Sequence, residues 1–215
     1  MNEAKVSFRS GRLLLEGVES TPGGADTFPA VVVCHPHPSF GGSMDNNVVM
    51  SICEALFEKS IMTLRFNFRG VGKSEGSFGH GIGEQEDVEA AISFLVAEKR
   101  ADRRRLGLAG YSAGAVFGVP VAVRDERVRA LAAISLPIGM MDLEAVRTCP
   151  KPKLFVSGSR DDFASVDALT EFCQSCVEPK ECVIIDGADH FWQGYEAGLA
   201  STVSDSFSRA LGPSA

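Results

Sequence analysis

Two segments of the chain contain the pattern Gly-x-Ser-x-Gly, GKSEG at residues 72–76 and GYSAG at residues 110–114. This pattern can place a serine at a sharp turn between a strand and a helix, where its hydroxyl can attack a carbonyl carbon. A serine hydroxyl is a weak nucleophile at neutral pH, so it needs a histidine as base and a carboxylate that orients the histidine. The sequence must therefore show which serine, Ser74 or Ser112, has such partners.

The first segment, GVGKSEG, also ends like a phosphate-binding P-loop. A P-loop requires a glycine five positions before the Gly-Lys-Ser triplet, and Asn67 occupies that position. No helical pattern follows Ser74, because the chain continues through further glycines. The segment therefore lacks the helix N-terminus that would hold a phosphate, and the strand-turn-helix order that would expose a nucleophile.

The second segment has the required order of elements. Ser112 follows the apolar run RLGLAG and precedes AGAVFGVPVAV, which is compatible with a helix. Gly110 and Gly114 stand where larger side chains would collide as strand and helix cross. The helix N-terminus would also place partial positive charge where negative charge develops during acyl transfer. The pattern predicts that Ser112 is the nucleophile.

A histidine and a carboxylate are expected at the ends of later strands. Of the four histidines, only His190 follows Ser112, in the loop DGADHFWQG after the predicted strand ECVIIDG. The run KLFVSGSRDDF supplies two adjacent carboxylates, and we favour Asp161 as the acid. Asp162 is predicted to cap the helix that begins near Ser165.

Acyl transfer also needs backbone N–H groups directed at the developing oxyanion. Ala113, the residue after the nucleophile, is one expected donor, and the loop HPHPSFGG that begins at His35 supplies the other. Because the two prolines have no N–H, His37 is the favoured donor, with Phe40 and Gly41 as alternatives. His35 and His37 have a spacing that can chelate a metal, but further ligands are missing. We expect neither a metal nor an organic cofactor.

The strands and helices that must position these residues are predicted from apolar runs that alternate with helical patterns. Such runs are typical of strands buried on both faces of a parallel sheet, and strand–helix alternation predicts a three-layer α/β fold. An antiparallel hairpin is predicted around Ser10 and Gly11. The predicted strands are 30–34, 62–68, 105–109, 130–135, 153–156 and 182–185, and the predicted helices are 47–59, 84–99, 113–123, 165–177 and 195–211.

Composition limits the classes of function. A chain of 215 residues with 45% hydrophobic residues fits one domain, 1–215, and its net charge of −7 argues against nucleic-acid and anionic-membrane partners. The sequence has no apolar run long enough for a membrane span and no signal-peptide pattern at its start. Six cysteines without a small secreted scaffold are interpreted as reduced thiols of a cytoplasmic protein.

Together these motifs resemble the α/β-hydrolase superfamily. GYSAG resembles its nucleophile turn, GSRDD its acid turn and GADHFW its histidine loop. HPHP followed by GGSMDN is similar to small bacterial proteins grouped with the dienelactone hydrolases, and the likeness extends over residues 6–211. Because those hydrolases use a cysteine nucleophile and this chain has Ser112, lactone specificity is not carried over.

The resemblance has further implications for the loops. RFNFRGVGKSEG is similar to a structural loop of this superfamily, which implies that Arg69 ties backbone together and does not bind phosphate. Residues 137–150 leave no room for a cap domain, which implies an open site. Phe40, Met140, Met141 and Trp192 are candidate apolar walls of that site, although each can equally belong to the core.

The resemblance implies a serine hydrolase that cleaves small carboxylic esters or thioesters through an acyl-enzyme. Ser112, His190 and Asp161 would form the triad, with the His37 and Ala113 amides as the oxyanion hole. An acyltransferase or peptidase would use the same residues, and a non-catalytic binding module could retain the fold. The motifs fix neither the acyl group and alcohol nor the oligomeric state.

Overall fold

The structure is a computed structural model that describes residues 2–212. The strands are β1 (Glu3–Ser10), β2 (Leu13–Ser20), β3 (Phe28–Cys34), β4 (Met62–Phe66), β5 (Ala101–Tyr111), β6 (Val128–Ile134), β7 (Lys153–Gly158) and β8 (Lys180–Ile185). The helices are α1 (Asn47–Glu58), α2 (Ile82–Ala97), α3 (Ala113–Arg124), α4 (Glu144–Arg147), α5 (Val166–Ser175) and α6 (Glu196–Leu211). All predicted strands and helices are present, with ends that differ by a few residues.

The strands form one eight-stranded sheet in the order β1-β2-β4-β3-β5-β6-β7-β8. β2 pairs antiparallel with both of its neighbours, and the pairs from β4 through β8 are all parallel. β1 and β2 are joined by a two-residue turn, since Ser10 pairs with Leu13. Gly11 has a φ of 57° in this turn, a value typical of tight hairpins. The predicted mixed sheet with an antiparallel N-terminal hairpin is confirmed.

Alternate residues of the central strands face two separate hydrophobic clusters. In β3, Ala30 and Val32 belong to one cluster and Val31 and Val33 to the other. This is the period-2 geometry of a strand, and it explains why a strand covered on both sides is apolar at nearly every position.

Helices cover both faces of the sheet. The cluster of Val31 and Val33 contains residues of α1 and α6, and the cluster of Ala30 and Val32 contains residues of α2, α3 and α5. These are the three layers that the sequence predicts. That residues 1–215 form a single domain stays a prediction.

The carboxyl ends of β3, β5, β6, β7 and β8 lie side by side, because these parallel strands are neighbours in the sheet. Ligand sites of open α/β sheets form at this edge. Between β6 and β7 the described chain has only the four-residue helix α4, so no cap domain is inserted there. Among residues 2–212, no helix has the length and apolar character needed to cross a bilayer.

Candidate active site

Ser112 lies at the turn between β5 and α3. Its backbone has a φ of 54° and a ψ of −120°, which is a strained conformation for a residue other than glycine. The turn is held on both sides: the Ser112 N–H donates to the Ile134 carbonyl at 2.8 Å, and the Ser112 carbonyl accepts from the Ala115 N–H at 2.9 Å. The surrounding backbone therefore fixes the strained position.

Close backbone contacts explain the two glycines beside this turn. A Cβ at Gly110 would lie 2.5 Å from the Gly114 carbonyl oxygen, and a Cβ at Gly114 would lie 2.5 Å from the Cys34 and His35 carbonyl oxygens. Neither contact is possible for a real side chain, as the sequence pattern predicts. The glycines let α3 start directly against the loop after β3.

The three side chains predicted to act together lie in hydrogen-bonding contact. The Ser112 hydroxyl is 2.9 Å from His190 Nε2. On the other side of the ring, His190 Nδ1 is 2.8 Å from Asp161 Oδ1 and 3.0 Å from Oδ2. With its proton on Nδ1, the imidazole donates to Asp161 and leaves Nε2 free to accept the proton of Ser112.

Asp161 is held by backbone and side-chain donors as well as by His190. The N–H groups of Phe163 and Ala164 donate to Oδ1 at 3.0 and 2.9 Å. The Ser157 hydroxyl, near the end of β7, donates to Oδ2 at 3.2 Å. Both oxygens of this buried carboxylate are therefore partnered.

The environment of Asp161 favours its ionised form. Burial by itself raises the pKa of this carboxyl, but hydrogen bonds from His190 and Ser135, the charge of His190 and the Ala164 N–H outweigh that effect. The pKa of Asp161 is therefore lower than its ordinary value. At neutral pH the group is therefore a carboxylate in hydrogen-bonding contact with the imidazole.

The neighbouring carboxylate, Asp162, is exposed and does not cap a helix. The capping prediction was wrong because Ser165 itself occupies the N-cap of α5, where its hydroxyl accepts from the Ala168 N–H at 3.3 Å. Adjacent residues of a turn point in different directions, so only Asp161 reaches His190.

Three aromatic residues contact His190, and none of them is among the predicted site residues. The Tyr111 hydroxyl donates to the His190 carbonyl at 2.6 Å. The ring of Phe163 lies 4.7 Å from the imidazole, and the ring of Phe191 meets it edge-on at 5.7 Å. Their only signal in the sequence is that each lies within two residues of a predicted site residue.

The backbone amides predicted as the oxyanion hole are both available. Among residues 2–212, neither the His37 N–H nor the Ala113 N–H donates to another protein atom. The two alternative donors are in use, because the Phe40 N–H donates to the His37 carbonyl and the Gly41 N–H to the Pro38 carbonyl. His37 and Ala113 line the same cavity as the Ser112 hydroxyl.

His35 has a structural position. Its ring is buried, Nδ1 lies 2.6 Å from the Pro36 carbonyl, and Nε2 accepts from the Phe68 N–H at 3.1 Å. Burial lowers the pKa of His35 to about 4, despite the hydrogen bond to Pro36. His35 therefore connects the loop after β3 to the loop after β4. Within the described residues, no group of three His, Cys, Asp or Glu side chains is placed to hold a metal ion.

A cavity of about 480 Å³ opens above Ser112 and His190. Phe40, Met140, Phe163 and Phe191 line it, and all four are strongly exposed. Met141 lines an adjoining cavity instead. The site is thus an open depression with an apolar rim, of a size typical of sites for small molecules.

Trp192 does not form a wall of this site. Its ring is fully buried, it packs in the cluster with α1 and α6, and its indole N–H donates to the Ser135 hydroxyl at 3.0 Å. The backbone φ of Trp192 is 62°, in the left-handed region. The side chain lies in the core while its neighbour Phe191 is exposed at the rim.

The segment GVGKSEG is a structural loop, although its arginine acts differently from the prediction. Ser74 is buried, and its hydroxyl donates to the Asn67 carbonyl at 2.7 Å. Arg69 binds side chains of α2, with Nη2 2.8 Å from Asp87 Oδ1 and 3.0 Å from Glu86 Oε2. Its guanidinium pairs with carboxylates and does not tie backbone segments together.

Comparison with known proteins relates this chain to a family. Residues 29–208 match the model of the alpha/beta hydrolase domain. An uncharacterised protein of Rickettsia prowazekii is 31% identical over 185 residues, which is 82% of this chain and 77% of that protein.

Solved structures give the same result. An alpha-beta serine hydrolase homologue from Coxiella burnetii is 32% identical, with a TM-score of 0.84 over 95% of this chain and 97% of its own. A lidless α/β serine hydrolase from Xanthomonas campestris is 29% identical, with a TM-score of 0.86 over 100% of this chain and 97% of its own. A fold, an open site and a family model that covers most of the sequence lead to one conclusion: the chain belongs to the alpha/beta hydrolase domain family.

Proposed function

We propose that the protein is a serine hydrolase that cleaves small carboxylic esters or thioesters through an acyl-enzyme. The observation that carries this proposal is the continuous contact from Ser112 through His190 to Asp161, at 2.9 and 2.8 Å. Two structural relatives at 32% and 29% identity are described as serine hydrolases, which supports the same chemistry.

In the first half of the reaction, the Ser112 hydroxyl oxygen attacks the carbonyl carbon while His190 Nε2 takes the hydroxyl proton. Asp161 keeps the ring oriented and stabilises the imidazolium. The N–H groups of His37 and Ala113 bind the oxyanion. His190 then returns the proton to the leaving alcohol or thiol, and the acyl group stays on Ser112.

In the second half, water takes the place of the alcohol. His190 removes a proton from that water, which attacks the acyl carbon, and the carboxylic acid leaves as the proton returns to Ser112. No cap domain is inserted between β6 and β7, which suits the entry of water and of small substrates. The free cysteines favour a reducing compartment, and we place the protein in the cytoplasm.

The test combines covalent labelling with ester turnover. A fluorophosphonate probe should modify Ser112, and the labelling should disappear in His190→Ala. Hydrolysis of 4-nitrophenyl acetate should fall by about 10⁴-fold in Asp161→Asn, because the imidazole loses its orienting charge. Asp162→Asn, the matched control one residue away, should keep the wild-type rate.

Labelling of a different residue, or equal rates for the two aspartate variants, would contradict this assignment. A folded protein that reacts neither with the probe nor with any ester or thioester would instead indicate a binding module.

A further inference from the structure

A second cavity, of about 510 Å³, adjoins the one above Ser112. His37, Ala113 and Met140 line both cavities, whereas His190 lines only the first. The two cavities therefore meet at the residues whose amides face the expected oxyanion. We refer to them as the histidine cavity, which contains His190, and the α3 cavity, which extends along helix α3.

The α3 cavity combines an apolar floor with polar side chains at its edge, among them the exposed carboxylate of Asp142. Val116, Phe117 and Pro120 of α3 form the floor. His80 and Gln85 also line it, and the Gln85 side-chain oxygen accepts from Arg124 at 2.8 Å, which leaves the amide N–H groups as donors. No lysine or arginine lines this cavity, and Asp142 does, so the lining disfavours an anionic group.

The chemistry of the proposed reaction assigns the two cavities to the two halves of an ester. The leaving oxygen must receive its proton from His190 Nε2, so the alcohol must lie beside the imidazole, in the histidine cavity. The acyl substituent sits on the same carbon and extends away from the imidazole. The α3 cavity begins at Ala113 and His37, on the side of the oxyanion, where that substituent would continue.

We propose that the α3 cavity is the acyl subsite, and that the substrates are esters whose acyl group is longer than acetyl and has a hydrogen-bonding substituent that is not anionic. This proposal rests on the proposed function, because it uses the roles of Ser112 and His190. The apolar floor binds the start of the chain, and His80 and Gln85 bind the polar substituent. The exposed aromatic rings of the histidine cavity bind the alcohol.

A series of 4-nitrophenyl alkylphosphonates separates the acyl side from the alcohol side. Ser112 Oγ bonds to phosphorus, the phosphorus–oxygen bond to 4-nitrophenolate breaks with its electron pair leaving on that oxygen, and the serine proton passes to His190. The alkyl group on phosphorus takes the place of the acyl chain. The second-order rate of Ser112 modification should rise from methyl to octyl in the wild-type protein.

Val116→Trp should block the α3 cavity and lower the octyl-to-methyl ratio of these rates by about tenfold or more. The matched control is Val123→Trp, two turns further along the same helix and outside the cavity, and it should keep the wild-type ratio. Ile82→Trp alters an exposed residue at the cavity and should lower the ratio in the same direction, so the test stands even if Val116→Trp does not fold.

A separate measurement tests whether the cavity binds the polar substituent. A phosphonate with a terminal hydroxyl on the alkyl chain should react faster than its methyl-ended counterpart of the same length. His80 has a φ of 54°, which asparagine also tolerates, so His80→Asn shortens the side chain without forcing the backbone. The preference for the hydroxyl compound should fall about 3- to 10-fold in this variant, the value of one lost hydrogen bond.

Failure of this inference is distinguishable from failure of the proposed function. Equal ratios in Val116→Trp, Ile82→Trp and Val123→Trp would overturn the acyl subsite while leaving Ser112 as the nucleophile. Modification of Ser112 by phosphonates without turnover of any ester or thioester would overturn the proposed hydrolysis, and the alkyl ratios would still decide the subsite. A Val116→Trp variant that loses selectivity for the alcohol instead would show that the two cavities are assigned the wrong way round.

Discussion

The two Gly-x-Ser-x-Gly segments share a pattern but use their serines in opposite ways. The Ser74 hydroxyl donates to the Asn67 carbonyl at 2.7 Å and accepts from the Glu16 N–H at 3.1 Å. The Ser112 hydroxyl is 2.9 Å from His190 and faces a cavity. A serine whose oxygen is fully engaged by backbone stabilises a loop, and one beside an imidazole can become a nucleophile. The elements around the pattern decide between these outcomes.

The glycines of the two segments also have different structural roles. Gly72 has a φ of 57°, so it allows a backbone conformation that other residues rarely adopt. Gly114 is required instead for space, since its Cβ would lie 2.5 Å from the Cys34 carbonyl oxygen. A glycine in this pattern can therefore indicate a loop turn or a close strand–helix crossing, and only the second belongs to a nucleophile turn.

Removal of each serine should have the largest and most different effects on activity and stability. Ser112→Ala should lower kcat for 4-nitrophenyl acetate by roughly 10⁶-fold, the scale seen when a triad serine is removed from a protease. Ser74→Ala should keep kcat close to wild type and lower the free energy of unfolding by about 1–3 kcal/mol, because the Glu16 N–H loses its acceptor. Initial rates and urea unfolding measure the two effects. A Ser74→Ala variant that stays folded but loses activity would contradict the structural role of Ser74.

Much of this contrast was predictable, because it depends on features that are local in sequence. The apolar runs predict the strands, and the order strand, Ser112, helix distinguishes the two segments before any coordinates are considered. The chain order of acid and histidine also leads to Asp161 and His190, which the structure brings to Ser112.

Other features were not predictable because they depend on contacts between distant residues. The partner of Arg69 is Asp87, on a helix whose approach to the loop is set by tertiary packing. The sequence leaves Trp192 open between a wall of the site and the core. Its positive φ and its hydrogen bond to Ser135, neither visible in the sequence, place its ring in the core.

The second prediction tests the structural loop through its arginine. Asp87 is fully buried, and Arg69 reaches both of its oxygens, at 2.8 and 3.0 Å. Arg69→Ala leaves that buried carboxylate without its charged partner, so the free energy of unfolding should fall by about 3–5 kcal/mol. The catalytic rate per folded molecule should stay close to wild type, because Arg69 does not line the site.

Glu86→Ala is the matched control for this variant. Glu86 pairs with the same guanidinium at 3.0 Å but is exposed, so its loss should cost about 0–1 kcal/mol. Equal losses in the two variants, measured by urea unfolding, would show that the buried pair does not hold the loop.

The third prediction concerns His35, which connects the loop after β3 to the loop after β4. Its pKa is lowered by burial to about 4, whereas the unfolded chain takes up the proton near its ordinary value of 6.5. Between these values the unfolded state binds more protons, so the free energy of unfolding should fall as the pH falls from about 6.5 to about 4. At about 1.4 kcal/mol per pKa unit, the loss is about 3 kcal/mol.

Urea unfolding at several pH values between 7 and 4 measures this loss. Protonation would place a hydrogen on Nε2, which accepts from the Phe68 N–H at 3.1 Å, so the link between the two loops would break. His35→Gln cannot titrate and should show a flatter pH dependence. Parallel curves for wild type and variant would contradict the assignment to His35.

A third serine, Ser135, lies close to the site and is expected to affect activity only slightly. Ser135 directly follows β6, is fully buried, and lies near the site, yet its oxygen accepts from the Trp192 indole N–H at 3.0 Å. Ser135→Ala should lower the free energy of unfolding by about 1–3 kcal/mol, since a buried donor loses its acceptor. It should lower kcat far less than Ser112→Ala, because it removes only one of several donors that lower the pKa of Asp161.

Trp192→Phe removes the same hydrogen bond from the other side. If this hydrogen bond explains the loss of unfolding free energy in both single variants, the double variant should be less destabilised than the sum of the two losses. A double-mutant cycle, with unfolding monitored by circular dichroism, measures the difference. Additive costs would mean that Ser135 and Trp192 act independently. A coupled pair with little change in kcat would show that a buried serine near the site, like Ser74 far from it, is structural when its oxygen is already engaged.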